Sequence, residues 1–250
     1  METHKKYSKN KEISNKGTFT HFISLPLIET ALKGKLYELQ KKILAVFSED
    51  EQKLIDLNNP NLFHITLSML SISKEEDKLE AQEILKRNHE AIKKVLDNSK
   101  LKIKLGKILT FSKQEKPQKP SKSIQIYKKP HSKKQNQQNL IYLEIQEDES
   151  FRKIMQFSHL LIKEFLEKEL MDTSDLKPMK VFYDHNSGFF RAEKFHITLF
   201  RVDESVNLDK IKKEFDSFEF GEAECNSVDI STRFLYDEEK FYMPLFRISF

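Results

Sequence analysis

Phe63-His64-Ile65-Thr66-Leu67 and Phe195-His196-Ile197-Thr198-Leu199 are two copies of one pentapeptide, about half of the 250-residue chain apart. In an extended strand, successive side chains point to opposite faces. Each copy therefore presents Phe, Ile and Leu to a core, and presents His and Thr to the opposite face. Packing explains why the apolar residues repeat. It does not explain why His and Thr repeat between them, so the repeat predicts a functional face on two strands.

Hydrophobic periodicity predicts an α+β fold built from two related halves, each with one pentapeptide. If the halves pack face to face, both His-Thr pairs line one central cleft. We expect strands over 18–27, 62–70, 101–111, 140–145, 194–202, 218–235 and 240–250, and helices over 30–47, 75–97, 149–171 and 207–216.

Composition and charge narrow the class of protein. The net charge of +4 is too small to indicate a general nucleic-acid binder, and no apolar run is long enough to span a bilayer. The single cysteine, Cys225, cannot form an internal disulfide or a Cys-pair zinc site, and it indicates a reducing, intracellular compartment such as the cytoplasm or nucleus. Its thiol could be a nucleophile, but a buried structural thiol is favoured.

Two segments have the composition of disordered chain. Residues 1–17 form a basic tail, and residues 112–139 form a Lys-rich insertion with a single acid, Glu115. Residues 123–127 within the insertion could form an edge strand. The insertion could add phosphate contacts, although a solvated loop is favoured. The sequence thus predicts one domain over 18–250 with a mobile insertion.

Two imidazoles and two hydroxyls in one cleft suit a phosphodiester. Thr66 and Thr198 could donate to non-bridging phosphate oxygens, while one of His64 and His196 serves as general base and the other as general acid. The sequence does not say which histidine has which role. The ordinary histidine pKa of about 6.5 allows both protonation states near neutral pH. This chemistry needs no metal or cofactor, and we find no carboxylate cluster at convincing metal-ligand spacing.

His64-Ile65-Thr66-Leu67 and His196-Ile197-Thr198-Leu199 resemble the paired H-x-T-x motifs of the 2H phosphoesterase (LigT-like) superfamily. Together with Phe22-Ile23-Ser24-Leu25-Pro26-Leu27, they are most similar to its eukaryotic branch. That branch holds the nuclear-localisation-type A-kinase anchoring proteins and an activating signal cointegrator subunit. The resemblance covers about residues 18–250 and implies a bilobal fold with two pseudo-symmetric lobes of antiparallel sheet plus helices.

The resemblance also implies metal-independent phosphodiesterase activity on RNA ends or short oligonucleotides with 2′-5′ or 2′,3′-cyclic phosphate linkages. His64, Thr66, His196 and Thr198 match the family's catalytic positions. Two alternatives stay open: a nucleotide- or RNA-binding regulatory subunit without turnover, and a 2′-5′ RNA ligase that uses the same site. We expect a monomer that binds RNA or a nucleotide, and the sequence does not identify any protein partner. Kinase anchoring is not carried over, because no separate anchoring helix is evident.

Further candidates lie in and before the second pentapeptide strand. By alternation, Phe200 shares a face with His196 and Thr198, where it could stack on a base or pack at the cleft edge. The same alternation turns Arg201 towards the core or an edge. The loop before this strand offers possible substrate contacts, of which the two phenylalanines could equally anchor the loop. These contacts are Tyr183, Phe189, Phe190 and Arg191.

Overall fold

The computed structural model describes residues 19–27, 30–111, 138–177 and 179–250. Their strands are β1 His21–Pro26, β2 Ile55–Leu57, β3 His64–Leu70, β4 Leu101–Phe111, β5 Gln138–Ile145, β6 Val181–Asp184, β7 Phe189–Ala192, β8 His196–Asp203, β9 Glu222–Cys225, β10 Ser227–Tyr236 and β11 Tyr242–Ser249. Their helices are α1 Thr30–Val46, α2 Glu49–Gln52, α3 Glu75–Val95, α4 Glu149–Glu167, α5 Thr173–Leu176 and α6 Lys212–Ser217, with 3-10 turns at Pro60–Leu62 and Leu208–Ile211.

The strands form two main antiparallel sheets and one small hairpin. The first sheet has the order β11-β10-β1-β3, the second has the order β2-β8-β5-β4-β9, and β6 pairs with β7 alone. The first pentapeptide strand, β3, ends the first sheet, and the second, β8, lies inside the second sheet. The predicted α+β class with two lobes of antiparallel sheet is confirmed.

The two lobes are not the two halves of the sequence. Strands β10 and β11, from the C-terminal end, complete the first sheet beside β1 and β3. Strand β2, from the first half, pairs with β8 in the second sheet. The expectation that each half forms its own lobe is therefore wrong, since neither sheet is complete without strands from both halves.

The long helices pack one apolar face on the sheets. Helix α4 is the clearest example. It begins after Asp148, whose carboxylate accepts the backbone N–H of Phe151 and so caps the helix. Its predicted stripe is buried at the 3–4 spacing of a helix; the stripe is Phe151, Ile154, Phe157, Leu161 and Phe165. No described helix is both long enough and apolar enough to cross a membrane.

Several predicted boundaries change. The polar loop before the second pentapeptide is the turn of the β6–β7 hairpin, closed by hydrogen bonds to the Asp184 carboxylate and by Gly188 at φ 73°. The predicted strand over 218–235 is divided between β9 and β10. Gln138 and Asn139 belong to β5 and not to the insertion. The basic tail at 1–17 and the insertion over 112–137, with its proposed edge strand, lie outside the described residues.

Both pentapeptide strands carry a β-bulge at the same position. In the first sheet, Ser24 pairs with Thr66 but Ile23 pairs with Ser68, which leaves Leu67 unpaired. A bulge inserts one extra residue and so reverses the alternation of the residues beyond it. Leu67 and Ser68 are consequently both buried, whereas strict alternation would expose one of them.

The bulge in the second sheet has the same form. Tyr142 pairs with Thr198 but Ile141 pairs with Phe200, which leaves Leu199 unpaired. Leu199 and Phe200 are both buried in consequence. The pseudo-symmetry of the lobes therefore extends to a local irregularity directly after each His-x-Thr.

Candidate active site

His64 is held by hydrogen bonds through both ring nitrogens. Its Nδ1 lies 2.7 Å from the Leu62 carbonyl oxygen, so Nδ1 carries the proton and donates it. Its Nε2 lies 3.1 Å from the Thr66 hydroxyl oxygen, and the hydroxyl then donates to Nε2. The carbonyl thus selects the tautomer in which Nε2 is the basic atom, presented beside Thr66.

Two aromatic rings enclose His64. Phe22 lies 5.0 Å from the imidazole, and Tyr242 meets it edge-on at 5.3 Å, measured between ring centroids. Burial, with a smaller contribution from the charge of His196, lowers the pKa of His64 to about 4, against the opposing effect of the hydrogen bond to Leu62. Apolar surroundings disfavour the imidazolium, so this ring is neutral in the free protein.

His196 repeats this arrangement in the other lobe. Its Nδ1 lies 3.2 Å from the Lys194 carbonyl oxygen, again the carbonyl two residues earlier in the chain. The buried ring of Tyr142 meets it edge-on at 5.3 Å. Burial lowers the pKa of His196, followed by the charge of Lys180. Both histidines therefore direct Nδ1 to the carbonyl two residues earlier, which leaves Nε2 as the second nitrogen of each ring.

The fold brings the two His-Thr pairs together. Strands β3 and β8 belong to different sheets, yet their Cα atoms approach within 8 Å. The effect of the His196 charge on the pKa of His64 places the two rings within electrostatic reach of each other. Thr66 and Thr198 are part-exposed on the same strand faces as the two histidines. The structure therefore brings His64 and His196 near each other, and one cleft shared by all four side chains stays a prediction.

A cavity of about 270 Å³ opens beside His196. Its lining combines apolar side chains with two lysines and one acid, Glu193, which forms an ion pair with Lys180. The lining residues are Leu140, Met179, Lys180, Ala192, Glu193, Lys194 and His196.

Phe200 does not line the cleft. It is 1% exposed and packs against Phe215 of α6, with the ring centroids 6.0 Å apart. The prediction that it shares a face with His196 and Thr198 is wrong because the bulge at Leu199 reverses the alternation beyond it.

Arg201 takes the cleft-face position that alternation had assigned to Phe200. Its side chain is exposed, and it lies within electrostatic reach of Tyr242, which contacts His64. Its expected core or edge orientation is therefore wrong as well. The sequence did hold a signal, since strict alternation would have placed this charge on the core face with Ile197 and Leu199.

The β6–β7 hairpin carries the four other candidates. Phe189 and Phe190 pack on His159 of α4 at 5.0 and 5.8 Å between ring centroids, and the backbone N–H of Phe190 donates to His159 Nδ1. These contacts fit the anchoring alternative. The guanidinium of Arg191 lies over the Phe182 ring. Tyr183 is exposed at 43%. Substrate contact by any of the four stays a prediction.

No sequence pattern indicates the three rings that pack on the two histidines, which are Tyr142, Tyr242 and Phe22. Cys225 is buried as expected, and burial raises the pKa of its thiol to about 12, which makes it a poor nucleophile. Within the described residues, no three His, Cys, Asp or Glu side chains come together as a group that could hold a metal ion.

The sequence matches the family described as "AKAP7 2'5' RNA ligase-like domain" over residues 19–250. The chain belongs to this family. The match also places it in the 2H phosphoesterase superfamily, so the resemblance carried by the two H-x-T-x motifs is confirmed.

One curated relative is the mouse (Mus musculus) protein "Activating signal cointegrator 1 complex subunit 1", which is 26% identical over 242 residues. The match covers 93% of this chain and 63% of that protein, so the chain spans less than two thirds of its relative. Among solved structures, TT0787 of Thermus thermophilus aligns with a TM-score of 0.53 at 16% identity. LigT of E. coli, solved with 3′-AMP, aligns with a TM-score of 0.52 at 12% identity. Each alignment covers 92% of this chain and 97% of the other, and each shows a shared fold.

Proposed function

We propose that this protein is a metal-independent phosphodiesterase acting on RNA ends or short oligonucleotides with a 2′-5′ or 2′,3′-cyclic linkage. The observation that carries the proposal is the hydrogen-bond arrangement that the two histidines share. Each ring directs its Nδ1 to the carbonyl two residues earlier, so Nε2 is the nitrogen that we assign to proton transfer in each histidine. A nucleotide is the ligand class to test first, because the E. coli LigT structure was solved with 3′-AMP.

His64 serves as the general base and His196 as the general acid. The pKa of His64 is lowered to about 4, so its Nε2 is free to take a proton from the attacking water or hydroxyl. As the new P–O bond forms, the bond to the leaving oxygen breaks, and protonated His196 gives that oxygen a proton. Exchange with solvent then returns His64 to the neutral form and His196 to the protonated form.

Thr66, Thr198 and Arg201 stabilise the phosphoryl oxygens. In the free protein, the Thr66 hydroxyl donates to His64 Nε2. A phosphate that accepts this hydroxyl releases Nε2 to receive the proton of the nucleophile. Arg201 brings a permanent positive charge to the cleft face, where negative charge accumulates in the transition state.

The pH dependence of kcat/KM should reflect the two lowered histidine pKa values of the free protein. The singly protonated pair needs one histidine charged and one neutral, so it dominates between about pH 4 and a pH below 6.5. We expect a bell-shaped profile within these limits. A bound phosphate favours both imidazolium forms, so the profile of kcat should lie at higher pH. Steady-state rates across the acidic and neutral pH range test this, with circular dichroism at each pH as the control for folding. Coincident profiles with both limbs above the ordinary histidine pKa contradict the assignment.

The proposed function is tested with a substrate panel. It contains a 2′,3′-cyclic mononucleotide, a 2′-5′ dinucleotide and the matching 3′-5′ dinucleotide, with products identified by mass. We expect turnover of the first two substrates, little of the third, and the same rates in the presence of a chelator. Turnover of none, or of the 3′-5′ dinucleotide alone, would overturn the proposal.

The description of the family favours ligation as the second candidate function. The same acid–base pair would then join a 2′,3′-cyclic end to a 5′-hydroxyl end. His196 would act as the base, by reversal of its role in cleavage. A longer product with a 2′-5′ linkage, formed from these two RNA ends, identifies this reaction. Tight binding without product in either experiment would indicate the regulatory binding module instead.

A further inference from the structure

Strand β10 bulges away from its neighbour β11 close to Tyr242, the ring that contacts His64. Ser231 pairs with Pro244 and Tyr236 pairs with Tyr242, so the four residues 232–235 stand opposite Met243 alone. Within this outward bulge, Phe234 has φ 64°, a left-handed backbone that is unusual for a bulky residue. Its side chain is 68% exposed, the highest value among the large apolar side chains that the structure describes. Bulges of this kind re-aim side chains beside active sites.

Three aromatic side chains lead from His64 to this bulge. Tyr242 contacts His64 edge-on, and Tyr236 lies 5.5 Å from Tyr242 between ring centroids. Tyr236 is 48% exposed, and Phe234 lies two residues before it in the bulge. We name Tyr242, Tyr236 and Phe234 the aromatic strip. It begins at Tyr242, beside His64, and ends at the solvent-exposed Phe234.

Positive charge accompanies the aromatic strip on one side. The guanidinium carbon of Arg233 lies 4.6 Å from the Phe234 ring centroid, and one of its N–H groups donates to the Phe19 carbonyl. Both Arg233 and Arg201 lie within electrostatic reach of the Tyr242 hydroxyl. Three acids, Asp237, Glu238 and Glu239, occupy the turn beyond the strip. Their charge repels phosphate from the tip and favours a path along Arg233.

We propose that the aromatic strip binds unpaired bases of single-stranded RNA adjacent to the nucleotide whose phosphate lies between His64 and His196. Exposed rings stack on any base, and a neighbouring guanidinium contacts the backbone, which is the usual chemistry of single-strand binding. The proposal rests on the proposed function and deepens it. The preferred substrate is an oligonucleotide longer than the two nucleosides that flank the cleaved bond.

The test compares Phe234→Ala and Tyr236→Ala on a short and a long substrate. For a 2′-5′ tetranucleotide, each variant should raise KM about tenfold, because the stacking of one base on one ring has this size. For the 2′,3′-cyclic mononucleotide, KM and kcat should not change. Tyr236→Phe keeps the aromatic ring and should therefore have the same KM as the parent protein. Tyr37→Ala is the matched control, since Tyr37 is exposed at 49% and lies on α1.

Direct binding separates failure of this proposal from failure of the proposed function. Fluorescence anisotropy with a labelled single-stranded tetranucleotide should show the same tenfold loss for Phe234→Ala, whether or not the protein turns over any substrate. Equal binding and equal KM for the parent and both alanine variants would overturn the proposal. So would an equal loss on the cyclic mononucleotide, because that would place the effect at the reacting phosphate. Circular dichroism of each variant controls for folding.

Discussion

Alanine at His64 or at His196 is expected to lower kcat on the preferred phosphodiester by about 100-fold to 10,000-fold. Removal of a positioned acid or base costs a rate factor of this size. In the proposed mechanism, the two rings act on the same phosphate from different sheets, and each histidine transfers one of the two protons through Nε2. In the variants, kcat should fall while KM changes little, because the proposed phosphate contacts of Thr66, Thr198 and Arg201 remain.

The double variant should be little slower than either single variant. Acid and base work as a unit, so losing one removes most of what the other contributes. The measurement is steady-state turnover with product detection by mass. His89→Ala is the matched control, because His89 lies on α3 and bonds through Nε2 to the Ser249 carbonyl. Full activity in either single variant that keeps the parent circular dichroism spectrum would remove the acid–base mechanism.

The His-x-Thr pairs could be predicted from the sequence because short-range geometry is sufficient to place them. Over the five residues of each pentapeptide, the alternation of a strand holds. Phe, Ile and Leu are buried in both copies, while His and Thr are part-exposed. The duplication then indicates one shared site. The rings around the histidines could not be predicted in this way. Tyr242 reaches His64 from the last strand of the chain, through pairing that no local pattern specifies.

The exchange of strands between the halves escaped prediction for the same reason. The sequence shows where strands begin and end, but it does not show which strands become neighbours. Strand β10 pairs with β1 from the opposite end of the chain, although β9 is adjacent to it in sequence and joins the other sheet. A predicted order of elements therefore gave the correct class of fold and the wrong division into lobes.

The orientation of Phe200 and Arg201 depends on a single unpaired residue. Alternation counted onward from His196 assumes an unbroken ladder, and the bulge at Leu199 breaks it. An exposed Phe200 and a buried Phe200 would contribute to different free energies, that of substrate binding and that of folding. A stacking Phe200 contributes to substrate binding and little to folding, whereas a buried Phe200 contributes to folding and nothing to base contact.

Phe200→Ala is accordingly expected to lower the free energy of unfolding by about 3–5 kcal/mol, the usual cost of emptying a fully buried phenylalanine site. The lost contacts are those with α6, where Phe215 packs on the ring. Urea unfolding followed by far-ultraviolet circular dichroism measures the change, since the chain has no Trp to serve as a fluorescence probe.

Phe234→Ala is the matched control, because it removes the same side chain from an exposed site. Its free energy of unfolding should stay within about 0.5 kcal/mol of the parent value. In tetranucleotide binding the order should reverse, with Phe234→Ala weakened and Phe200→Ala close to the parent under conditions where it is folded. If Phe200→Ala is as stable as the parent but binds RNA tenfold more weakly, the result would support strict alternation, with Phe200 on the face of His196. Strict alternation would also place Arg201 on the core face, where it could not contact the phosphate.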